Sequence, residues 1–357
     1  MRFLPILLVL LSSLVYVGWH IWTIVPLPVW CKWLLVGVML LLFALEIVGF
    51  TPLMNRMPLG MSSFVYNVGN KTVIVLFYLL MAFLLLDLGR LVRIVPRSLL
   101  HDNWPATAVL AVLMVGIFVY ASVHYHHKER VSLELDSGGR LQRPLTVVMA
   151  SDLHIGYHNR RADLAGWVDM INAEHPDLVL VAGDIVDFSF RPVLEEDMAA
   201  EFRRLEAPVY ACLGNHEFYA GEPDAERFYR DAGINLLIDS SVVVGGVRIV
   251  GRDDRTNRNR KSLSELVGGD SLYSIVLDHQ PYHLEEAEQQ GVDFQLSGHT
   301  HRGQVWPLSW VTDALYECSW GSHQRGATHY YVSSGLGIWG AKYRIGTQSE
   351  YVVAQIH

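Results

Sequence analysis

Hydrophobic and polar positions divide this chain into two parts with different rhythms. Up to about residue 125 the apolar residues come in long blocks, roughly 3 to 25, 33 to 50, 72 to 95 and 106 to 123. Each is near the ~20 residues that a helix needs to cross the hydrocarbon core of a bilayer. Helices buried in a soluble bundle would still carry a polar stripe, and the run from Trp33 to Leu45 has none. A cleavable leader accounts for the first block at most. The pattern therefore predicts an N-terminal α-helical transmembrane bundle of about four spans within residues 1–127.

Beyond a polar connector at 128–143 the rhythm changes, and residues 144–357 read as an α/β domain. Leu145 to Ala150, Leu178 to Ala182 and Val209 to Leu213 are short apolar runs of strand type, separated by helical spacing at Arg161 to Ala173 and Ala199 to Leu205. Further strands are expected at Ser241 to Gly251, Ser274 to Asp278 and Phe294 to Ser297. Open α/β sheets gather their sites at the carboxyl ends of strands. Here most of these runs end in groups that bind metals: Asp152-Leu-His154, Gly183-Asp184, Gly214-Asn215-His216-Glu217, His279, and Gly298-His299-Thr300-His301. Oxygen donors mixed with imidazoles suit divalent Mn, Fe or Zn, and a two-metal centre is one way to hydrolyse a phosphate ester. His283, His323 and His329 stand outside these blocks and read as surface or hydrogen-bonded residues; His158 reads as structural or solvated.

In this order the blocks resemble the calcineurin-like metallophosphoesterase superfamily, whose signature runs D-x-H, G-D-x-x-D, G-N-H-[DE], a lone His and G-H-x-H. All five are present between residues 144 and 357, and five in register are far more specific than any one. The closing Tyr331-Val-Ser-Ser-Gly-Leu-Gly337 and the block Gly298 to Gln304 look like the membrane-associated bacterial branch, although Arg302 stands where that branch often has Gly. The resemblance implies a four-layer α/β/β/α sandwich and two divalent ions. One is expected on Asp152, His154 and His301, the other on Asn215, His279 and His299, with Asp184 bridging both and a metal-bridging hydroxide as nucleophile. It implies that His216 meets the phosphoryl oxygen or leaving group rather than a metal, which makes His216 and Asp184 the catalytic candidates, and that Asp187 and Glu217 orient histidines. Asp253-Asp254 recurs in similar sequences as a loop near the site.

Charge changes the picture of the partner. Residues 1–127 hold seven Lys/Arg against three Asp/Glu, leaving 21 against 33 in the remainder of a chain of net charge −8. An acidic catalytic domain does not collect nucleic acid through its field, so nucleic acid is disfavoured as substrate. The run Arg255-Thr-Asn-Arg258-Asn-Arg260-Lys261 is a local exception and reads first as a solvated loop. With four spans both termini share one side. Arg2, Arg56, Lys71, Lys128, Arg130, Arg140 and Arg143 lie there against Lys32, Arg90, Arg93 and Arg97 opposite, which predicts a cytoplasmic catalytic domain on the plasma (inner) membrane. Cys31, Cys212 and Cys318 make no disulfide framework.

Acids inside spans are functional candidates by default, but Glu46 and Asp87 fall near span ends and Asp87 lies three residues from Arg90, so a local ion pair suffices. Between Gln304 and Tyr331 the aromatics Trp306, Trp310, Tyr316, Trp320, Tyr330 and Tyr331 read partly as core and partly as a lip for the bilayer interface. A tethered esterase makes most sense with a lipid-linked phosphoester or pyrophosphate as substrate. The competing readings are a non-enzymatic membrane scaffold or sensor that retains the fold, and a hydrolase component of a transport system.

Overall fold

The computed structural model describes residues 4–357, with side chains from Leu8 onward; Arg2 and the start of the first apolar block lie outside the described residues. The chain forms two compact units, Met1–Ala121 and Ser122–His357. The first is built on helices α1 (Leu4–Ile24), α2 (Val29–Gly49), α3 (Leu59–Leu91) and α4 (Trp104–His126). Among the described residues α2, α3 and α4 are long and apolar enough to cross a membrane, and Leu8–Ile24 is a shorter apolar helix. Helices restart where sequence chemistry favours it. Pro28 and Pro58 immediately precede α2 and α3, and the Asn103 Oδ1 caps α4 by accepting the Ala106 N–H at 2.9 Å.

The third apolar block was expected to begin at 72, yet α3 begins at Leu59. The polar residues ahead of the block do not break the helix, because they bond its own backbone. Asn67 donates to the Ser63 carbonyl at 2.8 Å, Asn70 to Tyr66 at 2.9 Å and Thr72 to Val68 at 2.8 Å. The expected Asp87–Arg90 pair forms at 3.0 Å, and α1 adds Tyr16 at 2.7 Å and His20 at 3.0 Å to the same carboxylate. Gly69 brings α3 against α2 so closely that a Cβ there would lie 2.6 Å from the Glu46 Cα.

The second unit holds twelve strands: β1 (Lys128–Leu135), β2 (Leu145–Ala150), β3 (Leu178–Ala182), β4 (Val209–Cys212), β5 (Ile234–Leu236), β6 (Ser240–Val244), β7 (Val247–Gly251), β8 (Tyr273–Leu277), β9 (Phe294–Ser297), β10 (Gly321–Arg325), β11 (Thr328–Val332) and β12 (Ser349–Ile356). They form two six-stranded sheets, in the orders β1-β12-β2-β3-β4-β5 and β10-β11-β9-β8-β7-β6. The strands that deliver the metal-binding blocks run parallel: β2, β3 and β4 in one sheet, β8 and β9 in the other. Period-two alternation splits each strand between two cores. Val147 and Met149 of β2 join Ile275, Leu277 and Leu296 of the opposite sheet, whereas Val148 and Ala150 face Trp167, Val168 and Ile171 of the helix Arg161–Asn172. A third core covers the far face of the second sheet around Val276, Leu284 and Val332. The order is helix, sheet, sheet, helix.

Two expectations are corrected here. The stretch read as a polar connector, 128–143, contributes β1, an edge strand paired in parallel with β12. Its partly exposed alternation carries too little apolar signal to be seen without that partner. The stretch read as one strand, 241–251, is a hairpin, because Gly245 and Gly246 take φ of 60° and 88° and turn the chain back on itself. Cys212 and Cys318 are buried in different cores as free thiols.

Candidate metal centre

Strands β2, β3, β4, β8 and β9 each end two or three residues before the first candidate metal-binding side chain, so the block order of the sequence becomes a spatial cluster. Asp152 and His154 leave β2, Asp184 leaves β3, Asn215 and His216 leave β4, His279 leaves β8, and His299 and His301 leave β9. Asp152, His154, Asp184, His299 and His301 all have φ between 45° and 72°. Left-handed backbone costs a non-glycine residue ~1–2 kcal/mol, so five such residues at one site point to functional constraint. Two glycines make the turns possible. Gly183 has φ 76°, and a Cβ on Gly214 would fall 2.1 Å from Asp184 Oδ1.

The side chains converge in overlapping groups. Asp152, His154 and His301 bring one ligand atom each within 4.8 Å of one another; so do Asp184, His279 and His299, and a third group joins His154, Asp184 and His216. His154 Nε2 lies 3.1 Å from His301 Nε2 and 3.7 Å from both Asp152 Oδ1 and Asp184 Oδ2, while His279 Nε2 lies 3.0 Å from Asp184 Oδ2. Three imidazoles turn their Nδ1 outward to an acceptor. His279 faces the Ala182 carbonyl at 2.7 Å, His301 faces that of Ser334 at 3.3 Å, and His154 faces Asp187 Oδ1 at 3.4 Å. For His279 and His301, an Nδ1–H donated in this way leaves the Nε2 lone pair aimed at the centre, the tautomer that metal binding requires.

These residues fit two cations on structural grounds. Two imidazole Nε2 atoms at 3.1 Å cannot both be lone pairs without a proton or cation between them. Asn215 Oδ1 is buried with no hydrogen-bond partner among the described residues, a costly state for a polar atom unless a ligand takes it. Burial acts to raise Asp152 and Asp184, but the facing histidines outweigh it and hold both carboxyls below the usual carboxylate range. The same coupling, seen from the imidazoles, overcomes burial to raise His154 to about 10 and His279 well above its usual value. His299 and His301 move the other way, because burial dominates, His299 to about 4. Without cations, then, the carboxylates are balanced by protons on two of the histidines.

Asp187 stands among three histidines. Its Oδ1 lies 3.4 Å from His154 Nδ1 and 3.2 Å from His216 Nδ1, and its Oδ2 lies 3.7 Å from His158 Nδ1. Glu217 does something different from the expectation. Fully buried, it accepts the backbone N–H groups of Gly214 at 2.8 Å, Asp184 at 3.1 Å and Val186 at 3.0 Å, and so clamps the loop after β3 to the loop after β4. His158 is buried behind Asp187 against the Ile338 carbonyl and is not solvated. The Asp253-Asp254 loop does reach the site's surroundings, since Gln280, next to His279, donates to both oxygens of Asp254 at 2.9 and 2.8 Å. His283 is exposed, His323 pairs with Glu317, and neither joins the cluster.

Sequence reading missed Arg344. Its guanidinium is fully buried and donates to the carbonyls of His301 at 2.8 Å, Gly337 at 3.2 Å and Ser334, holding the chain behind the metal-binding turn. A lone Arg in a Gly- and Tyr-rich stretch carries no pattern that marks it. Ser151, whose hydroxyl donates to Asp152 Oδ2, was missed for the same reason. Arg302, at φ 50°, lays its guanidinium over the Trp320 ring at 4.0 Å, away from the ligand atoms.

Residues 145–303 match the family described as calcineurin-like phosphoesterase. The chain is 27% identical over 261 residues to an uncharacterized metallophosphoesterase of Campylobacter jejuni, covering 69% of each protein. It is 29% identical over 219 residues to one of Helicobacter pylori, covering 59% of each, so the match spans less than two thirds of that relative. A Danio rerio transmembrane protein with metallophosphoesterase domain is 26% identical over 305 residues, 78% of this chain and 69% of its own length.

Proposed function

Because this chain carries a calcineurin-like metallophosphoesterase domain, we propose that it is a membrane-anchored, di-metal phosphoesterase. The observation that carries the reading is the shared position of Asp184, which belongs to a group with His279 and His299 and to a group with His154. One carboxylate with two oxygens can serve two ions. Asp152, His154 and His301 would hold one ion, Asn215, His279 and His299 the other, and Asp184 would serve both. Divalent Mn, Fe or Zn suits this donor set. Bound there, the ions lower the pKa of water and neutralise phosphoryl charge.

The chain's own residues do the rest. His216 Nδ1 lies 3.2 Å from Asp187 Oδ1, and His216 in its imidazolium form has a proton on Nε2 to give to a phosphoryl oxygen or to the departing oxygen. The His216 backbone N–H donates to Asp184 Oδ1 at 2.9 Å and fixes that carboxylate while its other oxygen faces His279. The N-terminal helices act as the anchor through four spans, the first apolar block being the fourth, and the catalytic domain includes β1, which pairs with β12. The balance of basic residues across the spans supports a cytoplasmic catalytic domain at the inner membrane. The substrate is a lipid-linked phosphoester or pyrophosphate, supported by the apolar helices that keep the hydrolase beside lipid; nucleic acid is disfavoured by the acidic catalytic domain.

The test is metal content together with hydrolysis of an aryl phosphodiester and a panel of lipid phosphates, for the native chain, Asp184→Asn and His216→Ala in detergent. Near two metals per chain in the native protein, fewer in Asp184→Asn and activity lost in both variants is the expected result. A metal-free, inactive native chain would place it instead among scaffolds that retain the fold. Turnover of water-soluble diesters alone, without gain from dispersed lipid, would remove the lipid substrate.

A further inference from the structure

The helix Leu308–Leu315 has an inverted burial pattern. Its polar Ser309 is 7% exposed, while Trp310, Val311 and Leu315 are 64, 53 and 66% exposed, and Trp306 just ahead of it is 44% exposed. A helix on a water-facing surface turns its apolar residues inward. This one presents them outward as a contiguous patch, with the Trp306 and Trp310 rings packed edge to face at 5.4 Å.

Both ends of the helix are tied to the metal centre. The turn ahead of it runs from His301 through Gly303, where a Cβ would fall 2.4 Å from the Leu308 carbonyl carbon, so helix and turn are held as one piece. Behind it, the Tyr316 ring lies 6.3 Å from that of His299, and its hydroxyl accepts from Tyr282 at 3.0 Å. Tyr282 in turn sits under the Arg255 guanidinium at 4.4 Å.

Arg255 opens the cationic loop left without a role by the hydrolytic site. With Arg252, Arg258, Arg260 and Lys261 it lines a cleft of about 580 Å³. Asp278 and Glu286 neutralise Arg252 and Arg260. Arg255 keeps a buried Nη1 without an acceptor among the described residues, and no ion pair there engages Arg258. The acids beside the helix are themselves occupied, Glu317 by Arg325 at 2.6 Å and Asp313 by the Ser319 hydroxyl. The apolar helix and the cationic loop thus adjoin through Tyr282 and Tyr316.

We propose that the helix Leu308–Leu315 lies in the interface of an anionic bilayer, with the 255–261 loop on headgroup phosphates. The half-buried His299, beside Tyr316, then lies on the side of the metal centre that faces lipid headgroups. The occupant follows from three features of the same chain: aromatic residues that favour the bilayer interface, cations that complement anionic headgroups, and helices apolar enough to cross a membrane. The delivery of headgroups for hydrolysis rests on the function proposed above; the docking does not.

The test uses the full chain in nanodiscs, with Cys31→Ser and an environment-sensitive dye on Leu315→Cys, and Val243→Cys, 49% exposed on β6, as the control position. The expected result is blue-shifted emission at 315 that spin-labelled lipids quench, neither effect at 243, and weaker quenching when phosphatidylglycerol is omitted or in Arg258→Glu. Aqueous emission at 315 overturns the proposal. Blue-shifted emission without lipid quenching also overturns it, since a protein surface such as a second copy then covers the helix. Turnover of a soluble aryl phosphodiester by the same labelled chain reads the hydrolytic function separately, so failure of that function is recognised without affecting the quenching result.

Discussion

Glu217→Gln is the sharpest probe of how the site is held, because the residue touches backbone and not metal. Its Oε2 accepts two N–H groups, from Gly214 and Asp184, and its Oε1 accepts that of Val186. A glutamine can keep the first pair only by turning its own NH₂ towards the Val186 N–H, leaving a buried donor unpaired at about 1–3 kcal/mol. The two surviving bonds become neutral ones, each weaker by about 1 kcal/mol. A gain opposes these losses, since burial and the charge of Asp184 both raise the Glu217 carboxyl and its removal relieves that repulsion. The net cost is about 2 kcal/mol, or about 4–8 °C in melting temperature for a unit of this size. Cys212, fully buried two residues before Gly214, supplies the assay. In a Cys31→Ser background, labelling by a thiol-reactive dye during heating of chelator-treated protein reports the opening of the second unit. A Glu217→Gln midpoint indistinguishable from that of the parent would refute the clamp, because no metal is then present to mask its loss.

Asp187→Asn is expected to lower metal affinity or activity by about 10- to 100-fold with little change in melting temperature, since it orients His154 and His216 without carrying the fold; metal titration against thermal melting checks it. Gly298→Ala puts a Cβ 2.2 Å from Asp152 Oδ2, so it should displace that carboxylate and lower metal stoichiometry, and native stoichiometry in this variant counts against the packing described. Metal affinity should rise with pH across the neutral range. His154, raised to about 10 in the metal-free protein, holds a proton there that an ion must displace, and a pH-independent apparent Kd would contradict this. Gly69→Ile should drive α3 from α2 at Glu46 and lower the yield of folded chain in detergent, read by size-exclusion chromatography; unchanged yield argues against the close crossing.

Local signals in the chain were enough to name most of the residues that converge in the candidate metal centre. Long unbroken apolar blocks can only be helices in lipid, and short apolar runs ending in Asp152, Asp184, Asn215, His279 and His299 specify parallel strands that deliver ligands, because both patterns depend on neighbours in sequence. What depends on distant partners stayed hidden. β1 is a strand only because β12, more than two hundred residues later, pairs with it. Glu217 was expected beside histidines and instead binds three backbone N–H groups, since the loops after β3 and β4 meet only once the sheet is assembled. Arg344 is buried behind His301 for the same reason. Composition marked the aromatic stretch and the basic loop, but which face of Leu308–Leu315 is exposed, and that Tyr282 and Tyr316 join it to Arg255, was decided by packing alone. Residue type sets what a side chain can do chemically; the tertiary fold sets which other groups lie within reach of it.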